Sequence, residues 1–302
     1  MSMPYRNLII ENSAKLKVSN KQLLITTEKV HSVPIEDINS ILIESMHSLI
    51  TTAALAQLAQ AGVAVFVCDE KHIPCAITLP FAQNSRNLGM IKVQESLTLP
   101  LCKRLWQQIV VSKISNQGKC LLIAGHPEAS DQLLEMAKTV LSGDTTNVEA
   151  RAAKYYFRAL FGNTFSREND SDILNCALNY GYAIIRGHIA RLIASYGLLP
   201  MKGIHHKSEL NAYNLADDFI EPFRPLVDLF VASEGLTEEK LTPAIKRKLY
   251  NLLNLDMQCN QQIHSATFAA ELLVQSFTRC CRRTVKELDL PVLLPLNQHS
   301  YD

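Results

Sequence analysis

Residues 172–198 have the sequence DILNCALNYGYAIIRGHIARLIASYGL, and this stretch indicates the fold class. Its apolar residues recur on most sides of a 3.6-residue period, which is typical of a helix buried at the centre of a protein. The aromatic residues Tyr180, Tyr182 and Tyr196 are therefore predicted to be core side chains rather than platforms for stacked bases. His188 is likewise predicted to be a packed histidine. The stretch predicts a helical core around which its domain is arranged.

Helical periodicity continues on both sides of this stretch, from residue 99 towards the end of the chain. Clusters of Gly, Pro, Asn or Asp bound each candidate helix. The other predicted helices are 101–117, 128–141, 147–161, 215–234, 243–254 and 262–288. Residues 289–302 contain Pro291 and Pro295, and we expect them to form a loose tail. The sequence thus predicts an all-α domain over residues 99–302.

The N-terminal part of the chain has a different pattern. Short alternating runs rich in β-branched residues predict strands, which fall at 7–11, 16–18, 23–26, 40–43, 63–68 and 75–78. One helix is predicted over residues 51–61, ended by Gly62. Residues 79–98 are punctuated by Pro, Asn, Ser and Gly and are predicted to be a linker. The fold class predicted is α+β: a small β-rich scaffold domain over 1–78, followed by a larger all-α domain.

Composition limits the classes of function. Of 302 residues, 47% are hydrophobic and 20% are charged, which is ordinary for a globular protein with an ample core. The net charge is only +1, so a nucleic-acid partner would have to be recognised by a local basic patch. The eight cysteines contain no CxxC pair, and no signal segment or apolar run near 18 residues is visible. We expect reduced thiols, a cytoplasmic location and no membrane partner.

A second stretch, residues 203–228, carries the candidate chemistry. It has the sequence GIHHKSELNAYNLADDFIEPFRPLVD, with His205 and His206 near its start. Asp218 and Glu221 follow three residues apart, so they share a face if the segment is helical. Imidazole and carboxylate groups are ligands for a divalent cation, and the share of oxygen favours magnesium or manganese over zinc. The alternative is a polar helix entry, because acidic residues favour a helix N-terminus.

Glu149 is a third candidate ligand, in the sequence TTNVEARAAKYYF at 145–157. The spacing Thr146-x-x-Glu149 is that of a capping box, in which the glutamate would bond back to the helix start. Basic residues follow on the same helix, and a carboxylate beside them also suits a metal bound against a phosphate. From the residues alone, both interpretations of Glu149 stay open.

Four segments resemble one known family, the CRISPR-associated adaptation integrase, which is the universal first Cas protein. The resemblance extends over essentially the whole chain in the same order, and its two C-terminal motifs are highly specific. The N-terminal segment is similar to the branch found beside single-protein effector nucleases. The segments are RNLIIENSAKLKVSNKQLLI (6–25), NVEARAAKYYFRALFGNTFSR (147–167), ALNYGYAIIR (177–186) and the stretch 203–228.

The resemblance implies the site and the reaction. The metal ligands and catalytic residues of the family fall on Glu149, His206 and Glu221, for Mg²⁺ or Mn²⁺. Asp218 and His205 are implied as further ligands or as partners that orient the ligands. Many relatives have aspartate where Glu221 stands. The implied reaction is attack of the 3′-hydroxyl of a spacer DNA on a phosphodiester of the CRISPR repeat, which inserts the spacer.

The resemblance also implies the partners. These are double-stranded DNA, a second copy of the chain in a homodimer, and a small ferredoxin-like second Cas protein, with the effector nuclease as a further candidate. DNA held by its phosphates requires basic side chains along its path. Arg224 lies inside the motif, although it could instead pair with Asp228 four residues on. The DNA-binding candidates are Arg224, Lys202, Lys207, Lys246, Arg247, Lys248, Arg282 and Arg283.

Two other classes of function stay open at this point. One is a catalytically silent DNA-binding or assembly protein whose carboxylates are structural. The other is a metal-dependent nucleotide phosphohydrolase, although His206 is followed by Lys207 and not by the aspartate of a His-Asp doublet. The presence of Glu149, His206 and Glu221 argues against the first alternative, and the second leaves the resemblance along the whole chain unexplained.

Overall fold

The structure, a computed structural model, describes residues 6–70, 74–78, 87–169, 172–237 and 240–300. The chain separates into two compact units, Met1–Ser85 with Tyr301–Asp302, and Arg86–Ser300. Strands dominate the first unit and helices the second, so the predicted α+β class and its order along the chain are confirmed.

The described part of the first unit forms two four-stranded sheets and one α-helix. One sheet has the order β1-β5-β7-β8, in which β8 alone is antiparallel to its neighbour, and the other has the order β4-β3-β2-β6. The strands are β1 (Arg6–Ile10), β2 (Lys15–Ser19), β3 (Gln22–Thr26), β4 (Val30–Pro34), β5 (Ile38–Ile43), β6 (Leu49–Ile50), β7 (Ala64–Cys68) and β8 (Pro74–Ile77).

Local sequence explains the turns of this unit. Asn20 and Lys21 have φ of 50° and 59°, and they form the two-residue turn that joins β2 to β3. Helix α1 (Thr52–Gln60) begins where the Thr51 hydroxyl accepts a hydrogen bond from the amide of Ala54, and this confirms the predicted helix. Apolar side chains from both sheets and from α1 share one core.

The second unit is mainly helical. Its helices are α2 (Asn87–Glu95), α3 (Leu99–Ile123), α4 (Pro127–Lys138), α5 (Val148–Phe161), α6 (Ile173–Ser195), α7 (Asn214–Ile220), α8 (Arg224–Glu234), α9 (Pro243–Tyr250) and α10 (Ala266–Cys281). Helix α2 lies within the segment predicted to be a linker, whose residues 79–86 are outside the described residues. No helix in the described ranges is long and apolar enough to cross a lipid bilayer.

Helix α6 confirms the interpretation of residues 172–198 as a central buried helix. It begins with Asp172, whose carboxylate accepts a hydrogen bond from the amide of Leu174 at 2.7 Å. Tyr180 and Tyr182 are buried, and His188 is fully buried. Helices α7 to α10 all pack against α6, so the candidate motif at 203–228 is fixed against the core of this unit.

The prediction of an all-α second domain was wrong, because this unit also contains a three-stranded sheet of order β10-β9-β11. Its strands are β9 (Leu255–Cys259), β10 (Gln262–Ser265) and β11 (Val292–Gln298). Asn260 and Gln261 turn the chain between β9 and β10 with φ of 51° and 65°, although no glycine marks that turn in the sequence.

The C-terminal segment 289–302, predicted to be a loose tail, instead contributes the edge strand β11. Val292 and Leu293 pair with β9, and pairing then shifts register before Gln298. Pro295 lies within that irregularity, where its missing N–H breaks no ladder bond. Prolines at an edge strand therefore misled the sequence interpretation.

A proline also divides the helix predicted over 215–234. Helix α7 ends at Ile220, and Glu221–Phe223 form one 3-10 turn before α8 begins. Pro222 has no amide hydrogen and cannot continue the α-helical pattern. The consequence is functional, because Glu221 lies at the break, with its side chain directed towards α3.

Candidate metal site

The candidate site starts with a loop folded around one buried carboxylate. Asp218 of α7 is fully buried, and its carboxylate accepts hydrogen bonds from the amides of Ile204 at 2.6 Å, His205 at 3.1 Å and His206 at 3.1 Å. Gly203 permits this close fold, because a Cβ there would lie 2.4 Å from the His206 carbonyl oxygen. The segment Gly-Ile-His-His therefore forms a tight loop around the Asp218 carboxylate.

Asp218 also orients the His206 ring. The His206 Nδ1 atom lies 2.8 Å from the Asp218 carboxylate, so Nε2 is the nitrogen left for a ligand. The hydrogen bond that this ring donates to the Asp218 carboxylate raises the pKa of His206. An imidazole held by a carboxylate on one nitrogen is the usual arrangement of a metal-binding histidine.

His205 has a different environment. Its ring stacks flat on the Trp106 indole, with centroids 4.0 Å apart and 2° between the planes. Partial burial lowers the pKa of His205. His206 meets the same indole edge-on at 5.8 Å. The two adjacent histidines are thus distinguished by their contacts, and His206 is the one with a carboxylate partner.

Glu221 is held by two cations. The Arg224 Nε atom donates to its Oε1 at 2.8 Å, and the Lys113 ammonium lies 2.5 Å from its Oε2. Burial works against the charged carboxylate, but Arg224 and Lys113 outweigh it and lower the pKa of Glu221 to about 2. The alternative pairing of Arg224 with Asp228 was wrong, because Asp228 accepts its hydrogen bonds from Tyr156 and Tyr182.

Glu149 lies in the first turn of α5, but the capping box predicted for it was wrong. The residue at the cap is Asn147, with φ of 52°, and it makes no side-chain cap bond. Asp144 supplies the cap instead, because its carboxylate accepts from the amides of Val148 at 2.8 Å and Glu149 at 3.0 Å. The Glu149 side chain is therefore left for another partner, and it accepts a hydrogen bond from Lys113.

Lys113 is the residue that the sequence interpretation missed. It lies on α3 on the same stripe as Trp106, Ile109 and Val110, which are all buried. Burial disfavours its charged form, but Glu221 and Glu149 raise the pKa of Lys113 above its ordinary value, so the side chain is an ammonium. The sequence feature that could have identified Lys113 is its position on the apolar face of a predicted helix, because a buried lysine requires a carboxylate partner.

Asn116, one turn further along α3, fixes the position of the turn that carries Glu221. Its amide nitrogen donates to the carbonyl oxygens of Pro222 at 2.8 Å and Pro291 at 3.0 Å. Its oxygen accepts from the amide of Leu293 at 3.0 Å. One buried asparagine therefore ties the Glu221 turn and the start of β11 to helix α3.

The predicted DNA-binding residues occupy varied positions. Arg224 lies over the Tyr182 ring at 4.5 Å. Lys246 is buried, and Lys248 pairs with Glu234 at 2.7 Å. The Arg282 guanidinium contacts a methionine sulfur at 3.1 Å. Four others are exposed, and these are Lys202, Lys207, Arg247 and Arg283. Lys202 and Lys207 flank the histidine loop, and DNA contact by the whole set stays a prediction.

The donors fit a hard divalent cation in their chemistry. Glu149 and Glu221 supply carboxylate oxygens from separate elements, and His206 supplies an oriented imidazole nitrogen. The charge of Glu221 contributes to the raised pKa of His206. In the part of the chain that the structure describes, however, no three His, Cys, Asp or Glu side chains are grouped as a metal site. The Lys113 ammonium lies between the two glutamates instead.

Comparison with known proteins agrees with the resemblance. The family described as CRISPR associated protein Cas1 matches residues 8–244. The CRISPR-associated endonuclease Cas1 of Neisseria meningitidis serogroup C is 44% identical over 305 residues, which cover 99% of this chain and 100% of that protein.

Solved structures share the fold. A casposase bound to integration product matches with a TM-score of 0.75 and 22% identity, over 94% of this chain and 92% of that one. A Cas6-RT-Cas1–Cas2 complex matches with a TM-score of 0.72 and 18% identity, over 97% of this chain and 36% of that one. With the family match over most of its length and a relative 44% identical over nearly all of it, the chain belongs to the Cas1 family of CRISPR-associated proteins.

Proposed function

We propose that this protein is a metal-dependent DNA integrase and endonuclease of CRISPR adaptation. One observation carries the proposal: the carboxylates of Glu149 and Glu221, from separate elements, meet at a single cationic centre, the Lys113 ammonium. The His206 imidazole is oriented by Asp218 of α7, the helix that leads directly into Glu221. Two carboxylates that meet in this way, with an oriented imidazole on the adjoining loop, are the donor types that Mg²⁺ and Mn²⁺ bind.

The proposed reaction is a phosphodiester exchange. The 3′-hydroxyl oxygen of a spacer DNA forms a bond to a phosphorus atom of the repeat, and the bond from that phosphorus to its leaving 3′-oxygen breaks. The attacking oxygen loses its proton and the leaving oxygen gains one, so atoms and charge balance. With water as the nucleophile the same exchange is cleavage. A bound divalent cation would neutralise the non-bridging phosphate oxygens and favour ionisation of the attacking hydroxyl.

The side chains of this protein prepare the site for that chemistry. Glu149, His206 and Glu221 would hold the cation. The low pKa of Glu221, about 2, keeps that ligand ionised at neutral pH. Asp218 fixes the orientation of the His206 ring, so that Nε2 is available to the cation without a change of rotamer. Exposed Lys202 and Lys207 flank the loop, where they would contact the DNA backbone.

The proposal includes partners. The structural neighbours are described as a casposase bound to integration product and as a complex containing Cas2. We infer that this chain likewise binds double-stranded DNA and a small second Cas protein. A homodimer, contact with the effector nuclease and a cytoplasmic location belong to the same proposal. The first unit is our choice for the dimer face, because the edge strands of its sheets need a partner or a cover.

A strand-transfer assay tests the proposed function. Protein with and without the second Cas protein would be incubated with a labelled spacer duplex and a plasmid that contains the repeat, in Mg²⁺, Mn²⁺ or chelator. We expect joining in either metal and none in chelator. Glu149→Gln and Glu221→Gln should abolish joining, whereas Glu135→Gln should not, because Glu135 is an exposed residue of α4.

Binding of branched DNA, measured on the same samples, separates the alternatives. Retained binding without joining in any metal would identify a catalytically silent DNA-binding protein and contradict the proposal. Full joining by Glu149→Gln would remove that residue from the site.

A further inference from the structure

Lys113 connects the two glutamates of the candidate site. Its ammonium donates a hydrogen bond to Glu149 and lies 2.5 Å from Glu221 Oε2. The lysine side chain is 9% exposed and that of Glu221 is 7% exposed. Glu149 and Glu221 are 36 and 108 residues from Lys113 in the chain, so three distant segments meet at one nitrogen atom.

The charges at this point are already balanced. Glu149 and Glu221 carry two negative charges, and Lys113 and Arg224 carry two positive charges. Two carboxylates this close, one buried and one half-buried, would repel each other without a cation between them. The Lys113 ammonium therefore supplies, in the protein without metal, the neutralisation that a divalent ion would supply when bound.

We propose that Lys113 competes with the divalent cation for Glu149 and Glu221, and that its ammonium must withdraw from them when the ion binds. The inference rests on the proposed metal-dependent function. The ammonium faces one oxygen of each carboxylate, and Arg224 donates to the other oxygen of Glu221, so a protein cation already lies on each oxygen of Glu221. Lys113 is thus a positioning residue that keeps the carboxylates together before the ion arrives and weakens its binding.

This arrangement has two separable consequences. Removal of the ammonium should destabilise the metal-free fold, because buried Glu221 and half-buried Glu149 lose their shared partner. The same change should strengthen metal binding, because the ion no longer has to displace an internal cation. A lysine that merely filled space would show neither the gain in affinity nor the dependence on metal.

Binding of Mn²⁺ to the DNA-free protein tests the inference. The fraction of free Mn²⁺ would be followed by electron paramagnetic resonance during titration of wild type, Lys113→Met and Lys113→Gln. We expect the two neutral variants to bind Mn²⁺ at least about tenfold more tightly than wild type. The reason is that the repulsion between the Lys113 ammonium and a nearby Mn²⁺ exceeds the free energy that corresponds to a tenfold difference in affinity. Lys119→Met, which removes one charge from the same helix, should bind like wild type.

Thermal unfolding provides the second readout. In chelator, Lys113→Met should unfold at a lower temperature than wild type, and saturating Mn²⁺ should recover most of the difference. Lys113→Gln keeps a hydrogen-bond donor and serves if the methionine variant does not fold in chelator.

Three outcomes decide the matter. Tighter binding by the neutral variants supports the inference. Equal or weaker binding by a folded neutral variant overturns it and leaves the proposed function intact, because wild type would still bind metal and join DNA. Failure of wild type to bind Mn²⁺ at all, together with no strand transfer, would overturn the proposed function itself.

Discussion

Asp218 offers the sharpest single perturbation of the site. Asp218 is fully buried, and its carboxylate accepts hydrogen bonds from three backbone N–H groups and faces His206 Nδ1. Asp218→Asn preserves the shape of the side chain but replaces one acceptor oxygen by a donor. That donor would face groups that are themselves donors, so about half of the hydrogen bonds are lost and an uncompensated N–H is buried.

The expected cost follows from those contacts. A hydrogen bond to a charged group contributes about 1.5–3 kcal/mol, so the loss of two should lower the free energy of unfolding by about 3–6 kcal/mol. His206 would also lose its fixed orientation, and disturbance of such an orienting partner typically lowers metal affinity or activity by about 10–100-fold. We therefore expect both a stability defect and a strand-transfer defect from one substitution.

Urea denaturation and the strand-transfer rate measure the two effects. Asp172→Asn is the matched control, because Asp172 caps α6 and asparagine is as good a cap as aspartate. The control should leave both quantities nearly unchanged. If Asp218→Asn unfolded at the wild-type urea concentration and joined DNA at the wild-type rate, Asp218 would neither organise the loop nor orient His206.

Three further substitutions test other parts of the account. Gly203→Ala should lower the free energy of unfolding by about 3 kcal/mol, because its Cβ would lie 2.4 Å from a backbone oxygen of the same loop. The control Gly89→Ala, where a Cβ on the helix would enter open space, should not lower the free energy of unfolding. Equal urea midpoints for the two variants would contradict the steric role of Gly203. Burial raises the pKa of Asp228 from 3.8 to about 6, so the stability it contributes is present below pH 4 and is lost as pH rises through 6, by about 3 kcal/mol. Asp228→Asn should remove that pH dependence, and unchanged slopes of unfolding free energy against pH would count against it. Trp106→Ala should raise the pKa of His205 towards its ordinary value, since the ring loses the indole stacked on it. An NMR titration that gives the same His205 pKa in the variant and in wild type would show that the stacked indole does not lower it.

The elements with strong local signals were predictable from the sequence. Helix α6 has an apolar surface on most sides and an aspartate at its start, and both features act locally. The fold class followed from the change of pattern along the chain. The sheet of the second unit was missed because its hairpin turn contains Asn260 and Gln261 rather than glycine. Its third strand was missed because Pro291 and Pro295 suggested an irregular tail.

The candidate site was predictable only in part. The donor residues belong to compact motifs, so their identity could be proposed from the sequence and the family resemblance. Their partners could not, because Lys113 and Asn116 reach the site from a helix distant in the chain. The capping role given to Glu149 failed for a related reason. Asp144, five residues earlier, caps α5 through a turn whose backbone conformation the sequence did not reveal.

Joining of two DNA ends that differ in one atom is the most direct test of a metal-dependent integrase. Wild type and Glu149→Gln would be given a labelled spacer duplex that ends in a 3′-hydroxyl, or the same duplex ending in 3′-hydrogen, with repeat DNA and Mg²⁺. We expect a joined product only from wild type, only with the 3′-hydroxyl end, and none when chelator replaces Mg²⁺. Joining by Glu149→Gln, or by wild type in chelator, would contradict the assignment of a metal-dependent integrase to this site.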